Sequence, residues 1–152
     1  MDKNALQEGN AGQAHWGIML LYRPLSLLAA ATFAVVGLIF LLVPEQVLAL
    51  FNRTSLALGM PEMPVQARGF YLVLAVGYMY VVTLVAWLMY RNPRNRTFPL
   101  LLAQAKLATA ALSLLFFLTH QPYLLYLANL AVDGTIGLVT LLFYVKLSRS
   151  GA

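Results

Sequence analysis

Two ionisable side chains fall inside otherwise apolar runs, Lys106 in LLAQAKLATAALSLL and Asp133 in NLAVDGTIGLVTLLFY. A charge at the centre of a membrane helix costs about 2.5 to 3.5 kcal/mol on an insertion scale, so each of these two needs a partner. Counting at the helical rise from the short link His120, Gln121 and Pro122 puts Lys106 roughly 21 Å and Asp133 roughly 16 to 17 Å from the turn, a difference that a lysine stem spans. The spacing predicts an interhelical ion pair, extended by Gln104, Asn129 or Tyr80. One use of such a pair is to fix helix register and rotation, with Lys106 alternatively snorkelling to the headgroups. The other makes Asp133 a protonatable or ligand-binding group, because intramembrane carboxylates often belong to proton relays or substrate sites.

A second charged set belongs to the outer boundary. Arg68 opens an apolar run as ARGF, with Glu45 and Glu62 on the same side as partners. It reads as an anchor, or as a guanidinium for a lipid phosphate or a ligand carbonyl. Familiar catalytic patterns are missing. There is no cysteine, Gly-rich phosphate loop or metal-spacing cluster. His15 and His120 are too far apart in depth to ligate one haem, and neither shares a depth with Ser26 or Ser113. No catalytic residue, metal or dedicated cofactor is expected.

The elements that position these residues follow from composition. Of 152 residues, 61% are hydrophobic and only 10% charged, and the mean hydropathy is +0.77. An ordinary soluble domain is about 25% charged. Four segments reach the roughly 20 apolar residues of a membrane span, at about 25–43, 65–90, 98–119 and 123–145. Their continuity argues for helices and against barrel strands, which alternate. The expected fold is all-α: a polytopic membrane protein built as an antiparallel bundle of four transmembrane helices. In PEQVLALFNR, Val47, Leu48, Leu50 and Phe51 share a face, which predicts a short interfacial helix after the first span, acting as a cap, a lid or a docking surface. TSLALGMPEMP, which follows, reads as irregular loop.

Basic residues set the orientation. Lys3, Arg23, Arg91, Arg94, Arg96, Lys146 and Arg149 fall on one side of four crossings and only Arg53 and Arg68 on the other, so both termini are expected in the cytoplasm of a bacterial-type inner membrane. The net charge of +5 is spread over span ends rather than gathered in a stripe, which argues against nucleic acid. Residues 1–17 read as a polar flexible tail and not as a signal peptide, 18–147 as a single domain and 148–152 as a short tail.

Small and polar residues are expected to face neighbouring helices: Ser26, Ala30, Ala34 and Gly37; Gly69, Gly77, Tyr80 and Thr83; Ala103, Lys106, Ala110 and Ser113; Asn129, Asp133, Gly137, Thr140 and Tyr144. The segments GLIFLLVPEQVLALF, ARGFYLVLAVGY and VDGTIGLVTLLFY resemble the small DoxX-like membrane proteins over most of residues 24–146. That resemblance implies a four-helix bundle, often an accessory subunit of a membrane complex, with some relatives tied to thiosulfate oxidation coupled to quinone; Arg68, Gly69, Asp133 and Gly134 would match its pattern.

Two functions are weighed. The first is a non-catalytic accessory or scaffold subunit that packs against partner membrane proteins, or against itself, among membrane lipids. The second is a binding or transport module for a lipid-like molecule such as a quinone, with Asp133, Lys106, Tyr80 and Asn129 lining its site.

Overall fold

A long apolar run satisfies its own backbone most simply as a helix, and every regular element of the protein among the described residues is helical. The structure, a computed structural model, describes residues 3–64 and 68–149, and the side chains of 20–64 and 72–148. The elements are α1 (Lys3–Leu42), α2 (Pro44–Ala57), α3 (Arg68–Arg91), α4 (Thr97–Thr119) and α5 (Leu124–Arg149). Four helical stretches are long and apolar enough to cross a membrane: Leu20–Leu42, Leu72–Arg91, Thr97–Thr119 and Leu124–Ser148.

The first helix begins well before the span expected at about 25–43. Pro24 sits inside α1 rather than before it, and the helix runs back to Lys3 through a segment expected to be an irregular tail. Ala5, Leu6, Gln7, Ala11, Gln13 and Ala14 favour helix strongly enough to offset Gly9 and Gly12.

The short helix after the first span also runs further than expected, to Ala57. Pro44 occupies its first turn, where a missing N–H costs nothing. It closes on Gly59 at φ 68°, with Gly59 N–H donating to Leu56 O (3.0 Å) and Met60 N–H to Ser55 O (2.9 Å), a Schellman ending that glycine accepts without strain. The following loop is tied back to α2. Asn52 exchanges two hydrogen bonds with the Met63 backbone, and Ser55 Oγ donates to Pro61 O.

Helix α4 packs along α5 and α1 along α3, while α3 touches α4; α1 meets α5 only sparsely, and α2 leans on both of them. The core joins Tyr22 and Phe33 of α1 to Val82, Ala86 and Met89 of α3, Leu102 of α4 and Leu147 of α5. The surface is apolar as well, and a few polar side chains are buried beside the core. Ser26, Lys106, Ser113, Asp133 and Thr140 are buried, whereas Leu20, Leu28, Leu42, Val73, Leu118 and Leu142 are exposed. Two buried hydroxyls are satisfied within their own helix: Ser26 Oγ donates to Tyr22 O and Thr140 Oγ1 to Ile136 O, both at 2.7 Å.

Candidate functional site

Lys106 and Asp133 meet across the α4–α5 interface, with Nζ 2.8 Å from Oδ1 and side chains only 3% and 6% exposed. The local sequence explains how. Gly137 lets α5 approach α4 closely, since a Cβ there would lie only 2.8 Å from Leu107 Cγ, whereas one on Gly134 would make ordinary contact with Ala110 Cβ at 3.8 Å. This approach brings the faces of the two helices into register.

The carboxylate has a second partner. Thr109 Oγ1, one turn beyond Lys106, hydrogen-bonds Asp133 Oδ2, so both oxygens are engaged. The same hydroxyl lies 2.9 Å from Lys106 O; its one proton serves the carboxylate, the stronger acceptor. Lys106 does not snorkel. Its Nζ lies 4.7 Å from the Phe33 ring centroid and 5.1 Å from that of Tyr78, so two aromatic faces complete the enclosure of the ammonium. One turn earlier on α5, Asn129 Nδ2 donates to Ser113 Oγ at 2.7 Å.

Beside these groups lies an open-sided cavity of about 490 Å³. Lys106, Thr109, Asn129 and Asp133 form its polar wall, α1 and α3 add Phe33, Phe40 and Tyr78, and Val47 and Phe51 of α2 also line it. A smaller cavity of about 260 Å³ lies between α1 and α5, bounded by Tyr22, Leu102 and Phe143. The two share Thr32, Phe33 and Ile136. Each is lined by one tyrosine whose hydroxyl is buried, Tyr22 beside Ser26 and Tyr78 beside Thr109.

Of the residues expected at the site, Lys106, Asp133 and Asn129 come together. Tyr80 and Gln104 do not. Tyr80 is 64% exposed on the outer face of α3, and Gln104 is exposed on α4. Gly77 likewise faces outward, with open space where a Cβ would stand, and Ala34 is exposed while Phe33 is buried. The error on α3 is one of rotation: residues two apart on a helix point about 200° apart, so Tyr78 faces inward because Tyr80 does not. Thr109, Phe33 and Tyr78 were missed. Thr109 had a signal, three residues from Lys106 and therefore on its face.

Arg68 begins α3, and its side chain lies outside the described residues. Glu45 and Glu62, expected as its partners, border a surface depression of about 420 Å³ on α2 together with Asn52 and Arg53. Among the described residues, no group of three or more His, Cys, Asp or Glu is placed to hold a metal ion. No family model, curated protein or solved structure matches the chain.

Proposed function

We propose that this is an integral membrane protein that binds a lipid-like small molecule inside its helices, beside the Lys106–Asp133 pair. The carrying observation is the cavity of about 490 Å³ bordering that pair. Here the polar wall borders unfilled volume within the usual range for small-molecule sites, mostly apolar with a few convergent polar groups. A quinone is one member of the ligand class that fits.

In this proposal the four apolar helices form an antiparallel bundle in an inner membrane with both termini cytoplasmic, and α2 lies on the outer interface above the cavity. The DoxX-like resemblance agrees with such an arrangement and belongs to the same proposal. Native mass spectrometry of protein released from mild detergent tests the binding. A retained small molecule is expected on the wild type, lost when Ala128→Phe fills the cavity and weakened by Asp133→Asn. A wild type that is consistently empty would sink the reading.

One feature favours the accessory-subunit reading beside it. The outer face of α3 presents Gly77 and a 64% exposed Tyr80, the small-plus-aromatic surface on which another membrane helix packs. A stoichiometric partner that co-purifies with the wild type and is lost on Gly77→Leu would support that role.

A further inference from the structure

The polar wall of the larger cavity has unused hydrogen-bonding capacity of one kind. Asn129 and Asp133 stand one turn apart on α5, and Ser113 and Thr109 one turn apart on α4 opposite them, so two polar rungs join the helices. On one rung Asp133 takes Lys106 at Oδ1 and Thr109 at Oδ2. A carboxylate engaged once at each oxygen can still accept. On the other rung Asn129 gives Nδ2 to Ser113 Oγ, while its Oδ1 makes no hydrogen bond among the described residues. Asn129 lines the cavity and is half-buried rather than enclosed.

The strongest donor on this wall is already committed. The Lys106 ammonium is held by the carboxylate and faces the rings of Phe33 and Tyr78. What the wall lacks is a donor from outside. It does not call for a charge, because Lys106 and Asp133 neutralise each other and an ion leaving water for this place would find no counter-charge left over.

We infer that the occupant is an uncharged lipid alcohol whose hydroxyl donates to Asn129 Oδ1 and whose apolar chain runs from there toward the ion pair. This rests on the lipid-binding reading of the cavity. The depth of Asn129 sets the orientation. It lies about 7 to 8 Å along α5 from the helix start at Leu124, among Leu125 and Ala128 of α5 and Val47 and Phe51 of α2, which line the same cavity. Ile136, also on the cavity wall, stands about 10 Å further along α5. The head group therefore occupies the end of the bundle that carries α2, and the chain has apolar wall to follow inward.

The test uses the full chain in phosphatidylcholine nanodiscs with farnesol and with farnesyl methyl ether, which keeps the oxygen but not its proton, compared at equal mole fractions in the lipid. The wild type should bind the alcohol about tenfold more tightly, the effect of one neutral hydrogen bond away from water. Asn129→Leu, close in size, should bind the two alike. Ser113→Ala breaks the same rung but keeps the amide, and should retain the preference. Independently of any variant, a farnesol analogue with a diazirine beside the hydroxyl should label the wild type at Val47, Phe51, Leu125 or Ala128, and one with the diazirine at the far end of the chain should label it elsewhere.

A wild type without alcohol preference, a preference that survives Asn129→Leu or one lost equally in Ser113→Ala would overturn the assignment to Asn129 while leaving lipid binding intact. Labelling of those α2 and α5 positions by the far end instead of the head would overturn the orientation. Palmitate binding more tightly than farnesol would overturn the uncharged head group. A wild type that binds neither isoprenoid removes the lipid-binding reading itself.

Discussion

Asp133 lies within an apolar helix because each of its oxygens finds a donor on α4, Lys106 at one side and Thr109 at the other. Removing one partner leaves the other charge buried and unpaired, a change that costs about 3 to 5 kcal/mol in buried pairs. Lys106→Met and Asp133→Asn should therefore each be strongly destabilising, and the double variant markedly less so than their sum. Reversible unfolding in mixed micelles measures this coupling, and strict additivity would show that the two side chains act independently. The pair was legible in the sequence because helical rise and a short turn fix depth. Thr109 and Tyr78 were less legible, since an ordinary threonine and tyrosine acquire their role only from what stands opposite.

At the scale of elements, the glycines of α3 and α5 make opposite demands. At Gly137 α5 lies close against α4, and a methyl there would lie 2.9 Å from Leu107 Cδ2 and 3.1 Å from its backbone nitrogen. Gly137→Ala should lower stability by about 1 to 3 kcal/mol, the usual cost of overpacking. Gly77 has nothing within 4 Å, so Gly77→Ala should be neutral or stabilising by up to about 1 kcal/mol, as expected where only helix propensity changes. Thermal melts of the two variants side by side check the contrast, and equal effects would contradict the rotation of α3. Both glycines look alike in sequence. Small residues mark helix contacts only on average, and nothing local distinguishes the face of α3 that meets α1 from the face that meets its surroundings.

At the scale of the whole molecule, leucine and valine cover the described surface, while a few serine, threonine, lysine and aspartate side chains are buried beside an apolar core. That surface requires a hydrocarbon solvent. The proposed orientation has a direct check, because the chain contains no cysteine. With a membrane-impermeant thiol reagent, Leu58→Cys should react in intact cells and Asn95→Cys only after the membrane is opened. The reverse pattern would invert the topology. The same scale explains the cavity: α1 pairs with α3 and α5 with α4, and the seam where α1 meets α5 is loosely closed. Volume is left there because two helix pairs joined mainly through α3 and α4 do not fill the space between their other edges.

Sequence by itself determined the solvent, the four long apolar helices and the meeting of Lys106 with Asp133, because hydropathy, helical rise and the cost of a lone charge in hydrocarbon act along the chain and depend on little else. Tertiary structure alone decided the rotation of α3, which turns Tyr78 inward and Tyr80 outward, and the unfilled volume beside the ion pair. Both depend on how the surfaces of separate helices fit, and shape complementarity between distant segments is a property of their packing rather than of any one run of residues.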